Sequence, residues 1–223
     1  LRPPSLFVVG KVTDRAPELS WFAARPLFGV RVLVTGSEST SEKLRGRLAT
    51  LGADVIVQPA IRITDPPDWS PVDAALDALD RYDWLVFSSP NGVDYFLRRL
   101  FDRGGDARRL SGVKLAVVGS GTADRLSTYH IQTDLMPEQF NAESLAESLA
   151  GDANGKRFLL AAAGRGRGVL AERLTEAGAQ VDQVVVYDSV DVEEPNAEVA
   201  EALIRAEELW MKALDRLERA KAG

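Results

Sequence analysis

The apolar positions of this chain change period repeatedly, and the stretch Asp83–Leu100 shows the device most clearly. Trp84–Phe87 is a continuous apolar run too short for a helix, so it reads as a buried strand. Ser88-Ser89-Pro90-Asn91-Gly92 breaks the run, and from there Val93, Phe96, Leu97 and Leu100 recur at helical spacing. A strand feeding a helix through small residues leaves hydroxyls and free backbone N–H groups at the helix N-terminus, where anions are favoured. Leu115–Leu126 repeats the device, and Arg31–Leu44 is a looser version. Such loops on one sheet edge would suit a polyanionic ligand.

The rest of the chain continues the alternation. Leu6–Val12 reads as a strand and turn ahead of the first regular unit. Val30–Thr35 is a predicted strand, and Ser39–Leu51 a helix with Leu44, Leu48 and Leu51 on one face and Gly52 at its end. Val55–Ile63 alternates as a strand whose Pro59 suits an edge. Thr64–Asp68 reads as a linker. It is followed by a helix over Val72–Leu79, with Ser70 as N-cap and Pro71 at its first position. Further strands are expected at Leu115–Val118, Ile131–Met136 (weaker), Arg157–Leu160 and Val181–Tyr187. Helices are expected at Asn141–Leu149, capped by Asn141, and at Val169–Ala177. This is an α/β pattern with a parallel sheet covered on both faces. After a second linker at Asp191–Pro195 the pattern changes. Val199, Leu203, Ala206, Trp210, Ala213, Leu217 and Ala220 step by three and four along one long amphipathic helix.

Composition narrows the chemistry. With 223 residues, 45% of them hydrophobic, the chain can build one large or two small domains. A net charge of −6 argues against bulk nucleic-acid binding, though not against a local basic pocket. The absence of cysteine excludes disulfides and thiolate chemistry, and His130 alone cannot make a histidine zinc site. No run approaches the ~20 apolar residues of a membrane span, and no signal-peptide pattern opens the chain, so the cytoplasm is the default address.

Each candidate has a plain alternative. Gly119-Ser120-Gly121 has two glycines of a dinucleotide fingerprint, with Asp134 near the place of a ribose-binding acid, but the third glycine is missing. A tight, anion-facing turn accounts for it as well. Tyr187 ends an apolar strand, where a buried tyrosine with a hydrogen-bonded hydroxyl is ordinary. His130 suits a solvent-facing helix end. Arg165-Gly166-Arg167-Gly168 either grips carboxylates or is an exposed turn. Asp73, Asp77 and Asp80 with Arg81 read as a solvated helix face.

Six segments in order carry a family resemblance: RPLFGVRVLVT (25–35), LGADVIVQPAI (51–61), YDWLVFSSPNGVDYF (82–96), LSGVKLAVVGSGTADRL (110–126), GKRFLLAAAG (155–164) and AGAQVDQVVVYDSV (177–190). Together they resemble uroporphyrinogen-III synthase over roughly residues 27 to 200. PPSLFVVGKVTDRAPELSWF (3–22) resembles the tail of a uroporphyrinogen-III C-methyltransferase, so residues 1–26 read as a remnant of a fusion. The resemblance implies two flavodoxin-like parallel-sheet domains with two crossings between them. Here that gives a partial first domain (27–63 and 191–223, ending in the long helix) and a complete inserted second domain (64–190).

The implied activity is cofactor-free closure of hydroxymethylbilane to uroporphyrinogen III, with inversion of the last pyrrole ring and loss of water. By the same resemblance Tyr187 is the candidate proton donor. Thr35, Ser88, Ser89, Asn91, Gly119, Ser120, Gly121 and Thr122 fall on substrate-carboxylate loops. Arg165 is a candidate carboxylate partner. Hydroxymethylbilane is the implied small-molecule partner, with neither nucleic acid nor membrane involved. A contact with the methyltransferase or with hydroxymethylbilane synthase is a further expectation, and the oligomeric state stays open between monomer and intertwined dimer.

Three departures stand out. Gly36 replaces an arginine common after the first strand, and Ala161-Ala162-Ala163 stands where the family has Pro-Arg. Both remove charge-assisted donors, and whether Arg165 and Arg167 compensate is left open by the sequence. Glu201–Gly223 is helical in pattern where the family returns to strand and loop. A second reading therefore stands beside the synthase: a non-catalytic, synthase-derived module that binds an acidic small molecule or a partner protein. A nucleotide enzyme comes third, lacking a third glycine or a phosphate-binding lysine.

Overall fold

In a computed structural model, residues 10–11, 21–166 and 168–221 are described, and strand and helix alternate through them. The chain divides into two compact units, 1–62 with 191–223, and 63–190. The expected strand and turn at Leu6–Val12 and most of the 1–26 remnant lie outside the described residues, as does Arg167.

The first unit holds strand β1 (Arg31–Ser37), helix α1 (Glu38–Thr50), most of β2 (Asp54–Thr64) and helix α7 (Ala197–Lys221). β1 and β2 run parallel, in register from Arg31 opposite Asp54 to Gly36 opposite Pro59. Segment 191–223 is tied to β2 by its backbone and by one side chain. Val192 N–H donates to the Ala60 carbonyl and Asn196 Nδ2 to the Val57 carbonyl, while Asn196 Oδ1 caps α7 at the Val199 N–H. Asp191–Pro195 is thus a fixed connection. Among the described residues of this unit, the buried apolar side chains are Val34, Ile56 and Val199. Trp210, on the apolar stripe of α7, is 66% exposed.

The second unit holds α2 (Ser70–Asp77), β3 (Trp84–Phe87), α3 (Pro90–Asp102), β4 (Lys114–Val117), α4 (Ser120–Ser127), α5 (Ala142–Ala150), β5 (Arg157–Ala163), α6 (Val169–Glu176) and β6 (Gln180–Asp191, its last residue in the first unit). Its strands pair in parallel in the order β6-β5-β3-β4. Alternate residues feed two cores. Leu85, Phe87, Leu159 and Ala161 join α2, α3 and α4 on one face; Trp84, Val86, Phe158 and Leu160 join α5 and α6 on the other. Burial on both faces explains why Trp84–Phe87 is apolar without alternation.

Three local expectations are corrected. Ser70 does not cap α2: it is the first helical residue, and its N–H donates to the Asp68 carboxylate at 2.8 Å. Ile131–Met136 forms no strand but a single bridge, Leu135 beside Ala116, because Thr133 and Asp134 turn their side chains onto the Leu115 backbone. The helix after Phe87 begins at Pro90 rather than Val93, since proline is pre-set for a first helical position and Ser89 supplies the cap.

Candidate functional site

Within the second unit, β3 and β5 are neighbours, but the chain leaves β3 toward β4 on one side and reaches β6 from β5 on the other. The crevice outside the carboxyl ends of strands at such a reversal is where open α/β sheets bind ligands. The loops after β3, β4 and β5 all open on that edge, with Phe87 opposite both Val117 and Ala161. They carry Ser88, Ser89 and Asn91; Gly119, Ser120, Gly121 and Thr122; and Arg165.

Ser89 adopts extended backbone angles and caps α3, its Oγ accepting the Gly92 N–H at 3.0 Å. The same Oγ is hydrogen-bonded to the Tyr187 hydroxyl at 3.0 Å. Tyr187 is buried, with its ring 5.7 Å from that of Tyr95 on α3. Strict alternation along β6 would send Tyr187 to the face opposite Val186. The ladder instead slips between Ala162 and Ala163, so that Ala163 pairs with Tyr187 and Val186 is left over. Val184, Val186 and Tyr187 consequently share one core with α3. A bulge re-aims a side chain in this way, and here it turns the tyrosine toward the capping serine.

Gly164 lies at the same place, close against the Asp188 carboxylate, where a Cβ would come 2.7 Å from Oδ1 and push that side chain aside. Gly119 lies directly against Phe140, where a Cβ would come within 3.0 Å. Ser120 and Gly121 open α4 on the exposed side, whereas Thr122 is buried. The N-termini of α3 and α4 therefore open on one edge, a favourable place for carboxylates. Arg165 is exposed in the turn after β5. Thr35 belongs to the first unit, exposed on β1 opposite Gln58.

Tyr187 and Ser89 are thus in direct contact. Asp134, considered as a ribose ligand, spends its carboxylate on the Leu115 N–H at 2.7 Å. His130 is exposed with φ 60°, a left-handed residue ending the turn after α4. Among the described residues, no group of His, Asp or Glu side chains converges so as to hold a metal ion. The sequence reading missed Tyr95, Gly164 and the bulge at Val186. The adjacent inward residues Val186 and Tyr187 were the available signal.

A family model described as Uroporphyrinogen-III synthase HemD matches residues 42–211. The chain belongs to the uroporphyrinogen-III synthase family. Porphyrin biosynthesis protein HemD of Ruminiclostridium josui is 29% identical over 208 residues, covering 93% of this chain and 41% of that relative. Uroporphyrinogen-III synthase of Synechococcus elongatus is 34% identical over 170 residues, covering 75% of this chain and 63% of the relative. The chain therefore spans less than two thirds of the length of either. A crystal structure of a mutant uroporphyrinogen III synthase from Thermus thermophilus superimposes with a TM-score of 0.58 at 20% identity, covering 80% of this chain and 70% of that one. At that identity the likeness speaks for the fold. In this member of the synthase family, every candidate but Thr35 lies within the matched span, which runs into α7. No helix among the described residues is long and apolar enough to cross a membrane.

Proposed function

We propose that this chain closes linear hydroxymethylbilane to uroporphyrinogen III, and that Tyr187 is the acid that protonates the departing hydroxyl. The single observation that carries this reading is the hydrogen bond between Tyr187 and Ser89 at the N-terminus of α3. As the phenol gives up its proton and the hydroxymethyl oxygen leaves as water, charge builds on the phenolic oxygen. Ser89 can then turn its own hydroxyl proton toward that oxygen, while its Oγ keeps the Gly92 N–H. The helix terminus favours the negative charge. Ring closure onto the last pyrrole releases a proton that restores the phenol, so the net change is loss of one water.

Ser88, Asn91, Gly119, Ser120, Gly121, Thr122 and Arg165 would hold substrate carboxylates along this edge of the second unit; Thr35, in the first unit, is a carboxylate-binding candidate in its own right. Orientation of this kind can lower a barrier by ~7–11 kcal/mol in favourable cases. In the same reading, 27–63 with 191–223 is the shortened first domain and 64–190 the inserted second. Residues 1–26 derive from a fused methyltransferase, and the helical C-terminal segment departs from the family pattern. The enzyme works in the cytoplasm, in reach of the methyltransferase or of hydroxymethylbilane synthase.

The test supplies hydroxymethylbilane to the purified chain and separates the oxidised product isomers. Uroporphyrin III above the no-protein control is the expected result. Tyr187→Phe should cut turnover by ~10²-fold or more, with the loss mainly in kcat. Type I isomer alone, from well-folded protein, would overturn the enzyme reading. It would favour the non-catalytic module, to which the missing cations at Gly36 and Ala161–Ala163 already point.

A further inference from the structure

Helix α7 runs 25 residues, about 37 Å, and beyond its first turn the described large apolar side chains, Leu203, Ile204, Trp210 and Met211, are exposed. Val199 is 3% exposed, whereas Leu203 is 54% and Trp210 66% exposed. Ile204 and Met211 follow two of these positions directly and widen the stripe, at 58% and 60% exposure. The sequence spacing is a heptad: from Val199 the steps are four, three, four, three, four and three to Ala220. The stripe also has an internal order. Large residues (Leu203, Trp210, Leu217) alternate with alanines (Ala206, Ala213, Ala220).

That order is self-complementary in one direction only. Laid antiparallel on a second copy about a point between Met211 and Lys212, the register sets Leu203 against Ala220, Ala206 against Leu217 and Trp210 against Ala213. Every layer then holds one large and one small residue, which lets two helices approach without a void or a clash. A parallel pairing in register would stack Trp210 on Trp210 and leave alanine on alanine. Charge agrees. The first half of α7 holds Glu198, Glu201, Glu207 and Glu208 against Arg205. The second half holds Lys212, Arg216, Arg219 and Lys221 against Asp215 and Glu218. Antiparallel pairing brings the acidic half of each copy beside the basic half of the other, whereas parallel pairing would align like with like. The acidic half also disfavours an anionic lipid surface as the occupant.

We infer that α7 is an interaction surface whose partner is α7 of a second copy of this chain, joined as an antiparallel pair with two-fold symmetry. The inference goes beyond the catalytic reading and does not depend on it. Sedimentation equilibrium of the whole chain over a wide concentration series should approach twice the 24.2 kDa chain mass. Trp210→Lys should raise the dissociation constant by ~10-fold or more. A chain that stays monomeric throughout the series overturns the proposal.

Orientation is read separately, and the cysteine-free sequence makes that simple. Leu203→Cys and Ala220→Cys, each alone under mild oxidation, should stay largely uncoupled, while an equal mixture of the two should give a covalent dimer. Covalent dimers of either variant alone, with none specific to the mixture, would mean parallel pairing and overturn the proposal.

Discussion

Two tyrosines of the second unit occupy opposite ends of its sheet and face different tasks. Tyr187 meets a hydroxyl at the carboxyl edge. Tyr82, just ahead of β3 at the amino edge, donates to the Asp182 carboxylate at 2.7 Å. Burial first, and that carboxylate second, push the Tyr82 phenol up to about 12. Both causes favour the neutral phenol, so the stability Tyr82 contributes is complete below an ordinary tyrosine pKa of about 10 and is lost as the pH rises toward 12. An ultraviolet titration of the folded protein should show a late-ionising phenol that Tyr82→Phe removes. The variant should also unfold less steeply between pH 10 and 12. At this scale it was the family resemblance that singled out Tyr187, while its place at a strand end suggested only an ordinary buried tyrosine, and the direction in which it points was hidden. A bulge depends on the neighbouring strand, and nothing in the sequence of β6 alone announces which residue will be left over.

Elements were more legible, because core formation leaves a period in the sequence. The run Trp84–Phe87, the α3 positions Val93, Phe96, Leu97 and Leu100, and the Asn141 cap all act as their spacing implied. Ile131–Met136 misled because its apolar residues are too few and Asp134 prefers the Leu115 backbone. One residue fastens several elements together. Asp83 bonds through its backbone to Arg157 and Lys114 at the starts of β5 and β4, and its carboxylate takes the Lys156 ammonium and the Arg157 N–H at 2.8 and 2.9 Å. The Lys156 hydrogen bond, with the Arg157 N–H, holds the Asp83 carboxyl below its usual range. A lowered carboxyl stabilises the fold fully above the ordinary aspartate pKa, and that share disappears as the pH falls through the lowered value. Because both side chains are partly exposed, Asp83→Asn should cost roughly 1 kcal/mol at neutral pH. In urea titrations from neutral to acid pH, the gap between variant and parent should close below pH ~4.

At the scale of the whole chain the two units are unequal. Both hydrophobic cores described above lie within residues 63–190, while the first unit buries few apolar side chains and leaves Leu33, Leu44 and Leu51 over 40% exposed. A fragment of residues 63–190 should therefore unfold in one cooperative transition, with calorimetric and van't Hoff enthalpies in agreement. A broad, non-cooperative melt would show that its cores need the flanking segments. The order of segments has a consequence during synthesis. The first unit is completed by residues that follow residue 190, where Val192 and Asn196 bond to β2. At about 5–20 residues per second, β1 and β2 leave the ribosome roughly 6–25 s before the segment that caps them. The later-made second unit is whole before the first is. For that interval the apolar strands β1 and β2 are a natural client for holding chaperones.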